Sequence, residues 1–218
     1  MRQLILDLLP ESLPAFENFV PGRNVEALTG LMAWLSPDNR EPLFGLWGES
    51  GAGKSHLLRA SGASYHDAQD DVTLTGLPTD GDFFAIDHLE GLDDQGQIRL
   101  FNAVNRLRTS GGRLLTASKT PPRQLPLRDD LRSRLASGLV YRLHALSDAE
   151  KLAALEEQAD KRGLTLPDEA LTYLIRRAPR DMRTLSALLA AVDRYSLERK
   201  RPVTLPLLRE VLQTEPHP

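Results

Sequence analysis

A chain of 218 residues with a formal net charge of −3 has room for one sizeable core and a smaller companion, and that charge argues against general binding to nucleic acid or anionic membranes. The absence of cysteine excludes disulfides, thiolate metal centres and cysteine nucleophiles, and the five His fall at no metal-ligand spacing. No apolar run reaches the ~18 residues of a membrane helix, so a cytoplasmic protein without membrane attachment is expected.

The chain opens MRQLILDLLP, with Arg2, Gln3 and Asp7 set among Leu4, Ile5, Leu6, Leu8 and Leu9. Its apolar core is short, Asp7 interrupts it, and no small-residue cleavage site follows, so it is not a signal peptide. Taken alone it reads as a loose start, a first strand or a docking peptide. LPAFENFVPGRN is an irregular lead-in punctuated by Pro14, Pro21 and Gly22. VEALTGLMAWL has helical spacing (Val25, Leu28, Leu31, Met32, Leu35) and stops at Ser36-Pro37.

EPLFGLWG is a short apolar run suited to a buried strand, and SGAGKSHLLRASGA reads as a helix that starts inside a glycine loop. VTLTGL, in the polar stretch that follows, is expected to be an edge strand. Phe83 to Ile86 is a second buried strand with Asp87 at its carboxyl end. QGQIRLFNAVNRLRTSG is amphipathic with a period near 3.6 and stops at Gly111-Gly112; RLLTAS and GLVYRL are further strands. Strands alternating with helices imply an α/β domain with a parallel sheet covered on both faces.

From residue 146 the pattern is helical only. Ser147 and Glu150 form a capping box for a helix that ends near Arg162-Gly163. PDEALTYLIRRA, RDMRTLSALLAAVDRYSLERK and TLPLLREVL supply three more helices. The organisation expected is an N-terminal peptide (1–12), an α/β nucleotide-binding domain (13–145) and a small helical domain (146–218).

Gly48-Glu49-Ser50-Gly51-Ala52-Gly53-Lys54-Ser55 satisfies G-x-x-x-x-G-K-[ST] in full and lies between a strand and a helix, the context such a loop requires. Its glycines let backbone N–H groups wrap an anion, Lys54 reaches the β/γ-phosphates, and the Ser55 hydroxyl ligates Mg²⁺. FFAID, one βα unit later, places Asp87 to orient the Mg²⁺ shell. Position 88 is His, where a self-hydrolysing site has a carboxylate to orient water; Glu90 lies two residues on. Tight nucleotide binding with slow hydrolysis is therefore expected.

These motifs, with an all-helical second domain, resemble the AAA+ ATPases and, within them, the DnaA replication-initiator family. FENFVPGRN is similar to that family's lead-in, in which Phe19 and Val20 would pack on adenine. GESGAGKSHLLRA is similar to its phosphate loop, including His56 after the Ser. TPPRQLPLRDDLRSRLASGLVYRL resembles the stretch that carries the arginine finger, which implies Arg134. RDMRTLSALLAAVDR resembles the helix with the sensor-2 arginine, which implies Arg183. The plainer reading of Arg134 is a surface arginine in a basic loop with Arg128, Arg132 and Arg142, and that of Arg183 a solvated helix-face arginine beside Arg180. The sensor-1 position offers Ser118 followed by Lys119 in place of the family's Asn, Thr or Asp.

The chain has no counterpart of the DnaA helix-turn-helix, so no sequence-specific DNA binding is expected. What remains resembles the Hda-type regulators, a DnaA-like ATPase module preceded by a short clamp-binding peptide. In that light Gln3-Leu4-Ile5-Leu6-Asp7-Leu8 looks like the peptide that docks on the polymerase sliding clamp (β subunit), with the Gln3 amide at a polar subsite and Leu6 and Leu8 in an apolar groove. The resemblance implies ADP or ATP with Mg²⁺ as ligands, DnaA and the clamp as partners, and negative regulation of replication initiation through Arg134 acting in trans. A second copy of the chain could also present the nucleotide. The alternative is a helicase loader or DNA-remodelling ATPase acting on its own nucleotide, for which a basic surface and a carboxylate at position 88 are expected. A small-molecule kinase does not account for the helical second domain.

Overall fold

The structure, a computed structural model, describes residues 13–77, 83–177, 181–199 and 202–208. The N-terminal segment, with Gln3, Leu4, Leu6, Asp7 and Leu8, lies outside them. Two compact units are present, one spanning Pro14–Ala145 and one beginning at Leu146.

In the first unit, helix α1 (Val25–Leu35) precedes strand β1 (Leu43–Trp47), helix α2 (Lys54–Ala60) and strand β2 (Ser64–Asp67). Strand β3 (Phe83–Asp87), helix α3 (Asp94–Ser110), strand β4 (Arg113–Ser118), helix α4 (Asp129–Leu135) and strand β5 (Leu139–Arg142) follow. The five strands form one sheet in the order β2-β3-β4-β1-β5, every pair parallel. Alternate side chains divide this sheet into two cores. Phe44, Leu46, Ala85, Leu115 and Ala117 pack with Ala27, Leu31 and Trp34 of α1 and Leu57 and Leu58 of α2. Leu43, Phe84, Ile86 and Leu114 point the other way, against Leu100, Val104 and Leu107 of α3 and Leu131 and Leu135 of α4. Central strands buried on both faces read as apolar runs, which is why β1, β3 and β4 were visible as such.

The edge strand is the correction. VTLTGL is no strand: residues 71–77 are turns. The Asp71 carboxylate accepts from the backbone N–H groups of Thr73 (3.1 Å) and Thr75 (2.7 Å) and from both their hydroxyls, so local side-chain bonding replaces a ladder. The edge is β2 instead, at Ser64–Asp67, a short polar segment of one exposed and three half-buried residues that carries no apolar run.

The second unit holds helices α5 (Asp148–Lys161), α6 (Asp168–Arg177) and α7 (Met182–Arg199), with a helical turn at 205–208. The capping box forms: Ser147 Oγ accepts from Glu150 N–H (3.2 Å) while the Glu150 carboxylate accepts from Ser147 N–H (2.7 Å). Leu155, Leu174, Leu185, Leu189, Val192 and Leu208 make its core. No helix among the described residues is long and apolar enough to cross a membrane.

Candidate nucleotide site

A parallel α/β sheet binds ligands at the carboxyl ends of its strands, and here β1, β3 and β4 end together. The phosphate loop leaves β1 there. Its backbone needs glycine at two places. At Gly48 a Cβ would fall on the Leu143 carbonyl oxygen, and at Gly53 (φ +92°) it would lie 2.6 Å from Cε2 of Phe19. Gly51 also has a positive φ (+78°), and Ala52 is buried. Gly48 N–H donates to the Ser118 carbonyl at the end of β4 (3.1 Å), which pins the start of the loop to the sheet.

Lys54 is buried at 8% exposure, and its Nζ donates to the Gly48 (2.7 Å) and Glu49 (2.9 Å) carbonyls. Burial draws its pKa below the ordinary lysine value, against the opposing pull of the Asp87 and Glu90 carboxylates. Ser55 follows, half-buried in the first turn of α2.

The lead-in segment is tied onto this loop. The Phe19 ring lies beside Gly53 and 5.7 Å from the His56 ring, and His56 Nε2 is 2.9 Å from the Ala15 carbonyl oxygen. Val20, half-buried, continues the segment. Asn24 then anchors it: its amide donates to the His144 carbonyl (2.9 Å) and accepts from His144 N–H (2.8 Å), and the side chain is 3% exposed. The sequence motif included Asn24, but a partner 120 positions away is visible only in the fold.

Asp87 is fully buried at the end of β3, with both carboxylate oxygens engaged. Oδ2 accepts from the Tyr65 hydroxyl (2.9 Å) and Oδ1 from His88 N–H (2.9 Å). Tyr65 also donates toward Asp67 Oδ2 (3.2 Å), and the Arg59 guanidinium lies 3.7 Å above its ring. Burial and the neighbouring Asp87 push the Tyr65 phenol well above its usual pKa, so it remains a donor at ordinary pH.

His88 has a left-handed backbone (φ 54°), and its Nδ1 is 2.8 Å from Asp67 Oδ1. Burial raises the Asp67 pKa, but hydrogen bonds from Gln69 N–H, His88 and Tyr65 outweigh it and hold the carboxyl below the usual value. Asp67, Asp87 and His88 thus bring three ligand atoms within 4.8 Å of one another. They satisfy each other by hydrogen bonds. For Mg²⁺, a hard cation, the oxygen donors of Ser55 and Asp87 are the suitable set. Tyr65 and Asp67 were missed in the sequence because they sit on the unrecognised edge strand; their spacing of two, on one face, was the available signal.

Arg134 stands in the last turn of α4, half-buried, on a helix seated in the core through Leu131 and Leu135. Its basic neighbours are engaged: Arg128 with Asp130 (2.9 Å), Arg132 with Asp129, and Arg142 over the Trp47 ring (5.0 Å). The Arg134 guanidinium has no ion-pair partner among the described residues. Arg128 N–H donates to Oε1 of the buried Gln97 (2.9 Å), which fixes the start of α4 on α3. Arg183 is exposed at the second position of α7, in the other unit.

Comparison with known proteins gives two results. Residues 148–212 match the family model described as Hda, lid domain. The fold is similar to domain III of the replication initiation protein DnaA from Thermotoga maritima, at 22% identity over 93% of this chain and 96% of that one, TM-score 0.69. It is also similar to AMPPCP-bound DnaA from Aquifex aeolicus (22% identity, 89% of this chain and 71% of that one, TM-score 0.66). The RuvB Holliday junction branch migration motor of Thermotoga maritima matches too, at 19% identity over 94% of this chain and 72% of that one, TM-score 0.63. At these identities the structural likeness establishes a shared fold.

Proposed function

We propose that this chain, a DnaA-related AAA+ protein with an Hda-type lid, is a negative regulator of replication initiation that holds an adenine nucleotide and acts on the nucleotide of DnaA. The observation that carries the reading is His88. A complete phosphate loop is joined to a residue that is neither an acid nor free, since its ring is hydrogen-bonded to Asp67 at 2.8 Å. Such a site retains nucleotide better than it hydrolyses it. The AMPPCP complex of a DnaA of like fold supports an adenine nucleotide as the ligand.

In this reading Gly48, Gly51, Ala52, Gly53 and Lys54 hold the phosphates of ADP or ATP. Ser55 and Asp87 hold Mg²⁺, which when bound neutralises phosphate charge. Phe19, Val20 and His56 flank the base side, and Arg183 reports nucleotide state from the lid. Arg134 is the arginine finger, presented in trans to DnaA; its lack of an ion-pair partner among the described residues suits a group that is completed by a neighbouring subunit. A second copy of this chain is the other neighbour that could receive it. The N-terminal peptide, through Gln3, Leu4, Leu6, Asp7 and Leu8, docks on the sliding clamp and brings the finger to its target.

The test mixes the protein with clamp-loaded DNA and ATP-bound DnaA. Loss of ATP from DnaA is expected only when all are present. Arg134→Ala is expected to abolish that loss with ADP binding unchanged, and Gln3→Ala with Leu6→Ala to abolish clamp binding alone. An unchanged DnaA nucleotide in the wild-type mixture sinks the proposal.

A further inference from the structure

Helix α4 carries Arg134 in its last turn and is only 7 residues long. Two buried apolar side chains, Leu131 and Leu135, seat it in the core. Apolar contacts are non-directional, so by themselves they leave a short helix free to roll or slide by a fraction of a turn. Its N-cap residue, Arg128, makes no capping bond with its side chain. The directional constraint comes from Gln97 on α3, a side chain 6% exposed.

Both ends of the Gln97 amide are used. Oε1 accepts from Arg128 N–H at the start of α4 (2.9 Å), and Nε2 donates to the Leu92 carbonyl (3.3 Å). Leu92 closes the 3₁₀ turn Leu89–Gly91 that follows β3. In that turn Gly91 N–H bonds to the His88 carbonyl (2.8 Å) and Leu92 N–H to the Leu89 carbonyl (3.3 Å). Leu89 and Leu92 are buried in the same core as Leu131 and Leu135. One buried amide therefore refers the start of α4 to the strand end that holds Asp87 and His88. The helix ladder carries that reference onward, since the Arg128 carbonyl accepts from Arg132 N–H (2.9 Å), two residues before Arg134. Burying an amide among leucines costs desolvation that an apolar side chain would avoid; what the amide supplies is a fixed register.

We propose that Gln97 is the positioning residue of the arginine finger: through Arg128 N–H it fixes the rotation of α4, and so the direction in which Arg134 meets a neighbour's nucleotide. This rests on the reading of Arg134 as the finger and adds to it the residue that aims it. A finger acts by placing its charge against the γ-phosphate in the transition state, so a displacement of about 1 Å lowers the rate and leaves binding in place.

The test measures ATP hydrolysis by DnaA with clamp-loaded DNA and increasing amounts of wild type, Gln97→Met or Arg128→Pro. Gln97→Met keeps the volume and removes both bonds. Arg128→Pro removes the backbone donor at a residue whose φ of −57° suits proline and whose exposed ion pair with Asp130 contributes little. It leaves the core untouched, so the proposal stays testable where Gln97→Met unfolds. Both variants are expected to lower the maximal rate at least about tenfold. The concentration for half-maximal stimulation, and the affinity for fluorescent mant-ADP by titration, are expected to stay within about twofold of wild type. Hydrogen exchange is expected to be at least about tenfold faster at the amides of 132–135 and unchanged across β1 and β4. An unchanged maximal rate in Arg128→Pro overturns the inference, as does a loss of mant-ADP affinity in step with the rate, which is the mark of a general structural role. Wild type that stimulates no hydrolysis overturns the regulatory reading itself.

Discussion

Replacing Tyr65 by Phe removes one oxygen atom at the point where the edge strand meets the end of β3. The phenol donates to Asp87, which is fully buried, and toward Asp67. The ring stays, and with it the packing under Arg59 at 3.7 Å. What is lost is a hydrogen bond to a carboxylate that water cannot replace, worth about 2 kcal/mol. For a unit of this size that is a fall of roughly 6–8 °C in Tm.

The pH dependence separates this cause from lost packing. The folded-state pKa of Tyr65 is raised above the ordinary 10.0 by burial and by Asp87. A raised value means the contribution is fully present below the unfolded pKa and is lost as pH rises toward the folded one. The stability gap between wild type and Tyr65→Phe is therefore expected to be flat between about pH 6 and 9 and to shrink above about pH 10. Urea unfolding followed by circular dichroism at several pH values measures it. A gap below about 0.5 kcal/mol at neutral pH, or one that persists unchanged at about pH 11, refutes the reasoning.

Two further outcomes follow from the lead-in segment and the loop it covers. Asn24→Ala strips both hydrogen bonds from the His144 backbone at a site 3% exposed, so a loss of about 2–3 kcal/mol is expected in thermal unfolding, with ADP affinity falling as the segment detaches. Gly53→Ala places a methyl at φ +92° and 2.6 Å from the Phe19 ring. It is expected to cost about 1 kcal/mol of stability and at least about tenfold in mant-ADP affinity, measured by the same titration.

Much of this molecule is legible along the chain because the signals are local. The central strands are apolar runs bounded by Gly and Pro, and the phosphate loop has fixed spacing. The α5 start is written in Ser147 and Glu150, two residues three positions apart that bond to one another. The edge strand was misplaced for the opposite reason. VTLTGL has strand-like residues, but Asp71 satisfies the backbone that a ladder would need, while SYHD, polar and short, becomes a strand because β3 offers it a partner. Pairing across the sheet outweighs local propensity at an edge.

The sequence by itself determined the α/β unit with its phosphate loop, the helical unit after it, and the candidate status of Asp87, His88 and Arg134. Only the tertiary structure decided what surrounds them. It placed Tyr65 and Asp67 against Asp87 and His88, and engaged Arg128, Arg132 and Arg142 while Arg134 has no ion-pair partner among the described residues. The physical reason is the same in each case. Residue type and spacing specify which groups a segment can offer, but burial and partnership depend on elements that meet from distant parts of the chain, and those set the charge state, direction and availability of each group.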